Sequence, residues 1–139
     1  MKTLVLGALL SSIISHGGVA HHTVKPTATP AACPTVDAVS AQGLNQATSI
    51  YPLELVPAWL GVETSASYNT KDNWTFFTIG AENVQNGNDA IKVMEGPLSS
   101  LTLASDQPEW DNGIGAYVCA YGDGQGNTLG VAYSPAFYS

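Results

Sequence analysis

Apolar and polar positions divide the chain into a leading run, a polar gap and two blocks of similar layout. Met1-Lys2 is followed by a leucine-rich apolar run from Thr3 to Ile14 and then by small residues ending at Gly18-Val19-Ala20. A basic start, an apolar middle and small residues before the cut predict a signal peptide over residues 1–20, cleaved after Ala20. The run is too short and wrongly flanked for a membrane span, and no second candidate follows it. Residues 21–32, with Pro26, Pro30, three threonines and three alanines, predict a flexible tail. Residues 33–139 then form a single domain, long enough to bury a core.

Within the domain, Thr35 is a suitable helix cap, Asp37 favours the first turn, and Val36, Val39, Gly43 and Ala47 fall on one stripe. This predicts a helix over 35–49. Trp59 to Tyr68 and Trp74 to Gly80 read as two strands joined by the turn Asn69-Thr70-Lys71-Asp72-Asn73. In the second strand Trp74, Phe76 and Thr78 share one face and Thr75, Phe77 and Ile79 the other. Bulk on both faces predicts a central strand, or one covered twice. Ile91, Met94, Leu98 and Leu101 recur at helical spacing, and Gly96-Pro97 interrupts them. A helix over 88–95 follows, with an extension to 103. Alternation returns from Ile114 to Tyr121 and from Leu129 to Tyr133, across the turn Asp123-Gly124-Gln125-Gly126-Asn127. Helix, two strands, helix, two strands predicts an α+β fold: a four-stranded antiparallel sheet of order αββαββ with helices on one face.

The formal net charge is −7, from 4 lysines and arginines against 11 acids, and no arginine is present. Such a surface repels nucleic acid and anionic lipid, and without arginine there is no bidentate clamp for phosphate. In an exported chain, Cys33 and Cys119 predict one disulfide, worth about 4–5 kcal/mol by loop closure. A redox or metal pair is the competing reading, without C-x-x-C spacing to support it.

The domain contains no histidine, which removes Ser-His-Asp and Cys-His catalysis and the common zinc sites. His21 and His22 become the first residues after cleavage, where an amine beside an imidazole can chelate copper or nickel, or an imidazole can meet haem iron. Glu109-Trp110-Asp111 sets two acids either side of an indole, a pairing that would suit a glycosidase but also describes a solvated loop. Tyr117, Tyr121 and Tyr133 are candidates for an aromatic patch on the last hairpin. Tyrosine and methionine, here Met94, can both ligate haem iron; cross-strand packing explains the same residues without a ligand. Asn73-Trp74-Thr75 is a glycosylation sequon that matters only in a eukaryotic secretory route. No catalytic residues are assigned.

Cys33-Pro34-Thr35-Val36-Asp37-Ala38-Val39, Asn73-Trp74-Thr75-Phe76-Phe77 and Tyr117-Val118-Cys119-Ala120-Tyr121 resemble a family of small exported proteins from intracellular Gram-negative pathogens of the Legionella type. Some of its members carry the name hemin-binding protein (Hbp). The resemblance spans most of residues 33–135. It implies a periplasmic or secreted location, a non-enzymatic role and hemin as ligand. The aromatic hairpin and the tail histidines suggest the mode: apolar burial of the porphyrin with tyrosine or a tail histidine at the iron. The alternative expectation is a structural or interaction protein of the envelope, supporting a secretion system or contact with a host.

Overall fold

The computed structural model describes residues 28–50, 58–81 and 83–138. The predicted signal peptide and most of the predicted tail, His21 and His22 included, lie outside these. Seven strands, all paired antiparallel, make one sheet: β1 (Gln46–Ile50), β2 (Ala58–Ala66), β3 (Trp74–Gly80), β4 (Thr102–Leu103), β5 (Glu109–Asp111), β6 (Ala116–Gly122) and β7 (Thr128–Ser134). The spatial order is β1-β2-β3-β7-β6-β4, with β5 also paired to β6. β4 and β5 therefore share one edge of β6, as a border strand interrupted between residues 103 and 109.

Two short helices complete the described fold, α1 (Val36–Gln42) and α2 (Gly87–Glu95), with α2 running into a 3-10 turn over Gly96–Ser100. The expected four-stranded αββαββ sheet is thus incorrect. The difference lies in four places. The helix predicted over 35–49 stops at Gln42, because Gly43 takes φ 72°, a left-handed conformation that favours glycine. A Cβ there would also strike the Glu95 carboxylate, whose Oε2 accepts the Leu44 N–H at 2.8 Å. The chain leaves this cap extended, so Ala47, read as part of the helical stripe, belongs to β1. The other two missed pieces, β4 and β5, have two and three residues, too few for alternation to register. Finally, the helix predicted to extend to 103 tightens at Gly96-Pro97 and ends at Ser100.

The core lies on one face of the sheet. Trp74 and Phe76 from β3, Cys119 and Tyr121 from β6, and Ala132 from β7 meet Val39 of α1, Ala90 and Met94 of α2, and Leu98 of the 3-10 turn. Gly61 of β2 permits this approach: a Cβ there would lie 2.8 Å from Leu44 Cδ1 and 3.0 Å from Met94. The Phe76 and Tyr121 rings meet edge to face at 5.6 Å. The Cys33–Cys119 disulfide is formed and buried, tying the segment before α1 to β6 across 86 residues of sequence. Beside it the Tyr121 hydroxyl donates to the Pro34 carbonyl at 2.6 Å, and the Cys33 N–H donates to the Asp106 carbonyl at 2.9 Å. Residues just before Cys33 already touch the domain: Pro30 is buried, and Thr29 Oγ1 lies 3.0 Å from the Tyr117 hydroxyl.

Candidate functional site: the open face of the sheet

Strand alternation sends a second set of apolar side chains to the face away from the helices. Pairing fixes its membership. Leu60 stands opposite Ile79, Val62 opposite Phe77, Phe77 opposite Val131, and Val131 opposite Ala120. One row further along, Thr75 is paired with Tyr133 and Tyr133 with Val118. The exposed face of an antiparallel sheet ordinarily carries polar residues. Here Ile79 is 64 % and Leu129 46 % exposed.

These side chains line a trough of about 690 Å³ along β2, β3 and β7. The size is that of a small-molecule site. Ile114, from the turn between β5 and β6, forms one wall, and Phe137, beyond the end of β7, forms another. Phe137 is held in place by its own backbone, whose N–H donates to Thr75 Oγ1 at 2.8 Å. Its ring stacks on Tyr133 at 4.8 Å and lies 6.0 Å from Phe77, while Phe77 and Tyr133 meet at 5.7 Å. Three aromatic rings thus gather at this end of the trough. Thr75 is itself buried and donates to the Thr64 carbonyl at 2.7 Å, so the support beneath Phe137 is fixed.

Among the described residues, the charged groups that strand pairing sets on this face are carboxylates. Glu109 pairs with Val118 and Asp111 with Ala116, so both acids of Glu109-Trp110-Asp111 point to the open face while Trp110 pairs with Tyr117 on the other. Asp111 Oδ1 accepts the N–H groups of Gly113 and Ile114, at 2.9 and 3.2 Å, and so shapes the turn that presents Ile114 to the trough. Partial burial, and secondarily the Asp111 charge, push the Tyr133 phenol above its ordinary value. None of the seven strands contains a lysine.

The tyrosines grouped in the sequence are divided by the sheet. Tyr133 lines the trough. Tyr117 and Tyr121 are buried on the helix-covered face, Tyr117 against Trp110 at 5.1 Å and Tyr121 against Phe76. Burial pushes the Tyr121 phenol well above its ordinary range. Met94 is also in the covered core, against Gly61 and Gly80. The structure therefore does not bring Tyr133 together with Tyr117, Tyr121 or Met94. Sequence reasoning missed Phe137, which lies past Pro135 and outside any periodic segment, and did not single out Leu60, Ile79 and Leu129. Their signal was present in the bulk carried on both faces of β3.

Two smaller hollows flank the trough, about 200 Å³ under the β4–β5 connection and about 330 Å³ beside the turn at residues 122–128. Among the described residues no group of three His, Cys, Asp or Glu side chains is placed to hold a metal, and no helix is long and apolar enough to cross a membrane. Comparison with known proteins finds no match to a family model, to a curated protein or to a solved structure.

Proposed function

We propose that this chain is an exported, non-catalytic binding protein that receives an apolar ligand on the open face of its sheet. The observation that carries this reading is the trough itself, an apolar and aromatic concavity on the face that an antiparallel sheet normally gives to water. Export is supported by the leading segment of the sequence and by the buried disulfide, a bond that persists in oxidising compartments. The trough holds hydrophobic side chains and a few hydroxyls, a lining that excludes water and buries ligand surface.

Hemin is the particular ligand that the resemblance brings. Its ring matches an apolar trough edged by aromatics, and Tyr133 is the tyrosine positioned to reach its iron. The test is a titration of hemin into the protein, followed at the Soret band. The reading predicts a saturable shift that is lost in Ile79→Gln/Leu129→Gln, with the iron signature changed in Tyr133→Phe. A shift unaffected by the double substitution would place hemin elsewhere. Absence of any shift would remove hemin and leave the apolar site to be tested with other ligands.

A further inference from the structure

The trough's own lining carries no charged side chain, but two carboxylates that line the neighbouring hollow lie close to its Tyr133 end. Glu109 and Asp111 stand on the open face at the β5 border. Glu109 shares a cross-strand row with Val118 and Tyr133, which at roughly 4.8 Å per strand puts its position about 10 Å from Tyr133. No lysine lies on any strand to offset these charges. Tyr133, two strands in from Glu109, is packed in the trough with the rings of Phe137 and Phe77. Aromatic faces attract organic cations, and a carboxylate nearby adds a second attraction of the same sign.

We infer that the trough selects its ligand by charge, taking an amphiphilic organic cation whose hydrocarbon body lies along Leu60, Ile79 and Leu129 and whose positive group sits at the Tyr133–Asp111 end. The inference rests on the trough being a ligand site and adds the sign of the ligand. An anionic amphiphile of the same shape meets repulsion at that end, so hemin would bind with its propionates turned away from β5.

The experiment uses N-phenyl-1-naphthylamine, a neutral dye whose fluorescence rises in apolar sites, as reporter. Octyltrimethylammonium and octyl sulfate, below their micelle thresholds, compete for it. The cation is expected to displace the dye at about tenfold lower concentration than the anion. Glu109→Gln/Asp111→Asn should bring the two within about threefold while the dye still binds; asparagine retains the Oδ1 acceptor for the 113–114 turn. Raising salt to about 0.5 M should likewise narrow the gap. Dye binding with equal competition, or a cation preference that survives the double substitution, would overturn the inference and leave the trough standing as a ligand site. Failure of the dye to bind would overturn both. A concentration-dependent dimer in sedimentation, abolished by Ile79→Gln/Leu129→Gln, would make the face a contact between copies and overturn both as well.

Discussion

On one face of β3, Trp74 and Phe76 are wholly buried; on the other, Ile79 is 64 % exposed. The strand alternates the same kinds of side chain to both sides, and among the described residues α1, α2 and the 3-10 turn cover one side. On the covered face the sheet is adjusted for contact: Gly61 opens space for Leu44 and Met94, and Tyr121 finds the Pro34 carbonyl. On the open face apolar side chains end in a concavity flanked by Phe137 and Ile114. Apolar area alone does not separate a core from a binding surface. What separates them is whether another element of the described chain is shaped to meet it. On the function proposed above, the covered face carries stability and the open face ligand recognition.

The division can be broken most forcefully from the covered side. Reducing the Cys33–Cys119 bond, or replacing both residues by serine, should cost about 4–5 kcal/mol in urea unfolding, since it frees a loop of 86 residues' separation. Trp74→Ala should cost about 3–5 kcal/mol by the same measurement, because the side chain is fully buried and leaves a cavity. Thr35→Ala, which removes the acceptor of the Ala38 N–H at 3.1 Å, should cost about 1 kcal/mol. Tyr68→Phe should move the other way. Among the described residues the Tyr68 hydroxyl is buried without a hydrogen-bond partner, so its removal should raise stability by about 1 kcal/mol. Ile79→Gln, on the open face, should change unfolding by no more than about 0.5 kcal/mol while weakening ligand binding. A loss of several kcal/mol at Ile79 would mean that the open face also holds the fold together.

The buried tyrosines add a pH dependence that belongs to the covered face. Tyr68 and Tyr121 are pushed above the ordinary value of 10.0, chiefly by burial, with the Glu63 and Tyr121 charges adding to the effect at Tyr68. A raised value means that the folded protein holds these protons more tightly than the unfolded chain does. Stability from this source is complete below about pH 10 and falls as pH rises above it, because the unfolded chain loses its protons first. Unfolding midpoints should decline in that range, and Tyr68→Phe should make the decline shallower.

The sequence showed the parts of the fold that repeat. Alternation marked β2, β3, β6 and β7 within a few residues, and the helical spacing of Ile91 and Met94 marked α2. β1 was hidden because Val39, Gly43 and Ala47 continue a helical spacing that only the conformation of Gly43 interrupts. Beside it Glu95, fifty-two positions away, accepts the Leu44 N–H and leaves no room for a Cβ, a tertiary contact that no local pattern displays. For the site, the bulk on both faces of β3 was legible as a central strand or one covered twice; β3 is central, and its second face carries the trough. Tyr133 was legible as an aromatic candidate; its separation from Tyr117 and Tyr121 depends on the register between β6 and β7, which pairs Val118 with Tyr133. Phe137 joins the trough through one backbone hydrogen bond to Thr75, a tertiary contact without a sequence signature.

The most direct test of this division is a titration of N-phenyl-1-naphthylamine into the protein and into Ile79→Gln/Leu129→Gln, with urea unfolding of both. The account predicts saturable fluorescence enhancement in the first and its loss in the second, with unfolding free energies within about 1 kcal/mol of each other. Equal enhancement in the two proteins, or loss of binding accompanied by loss of the fold, would contradict it.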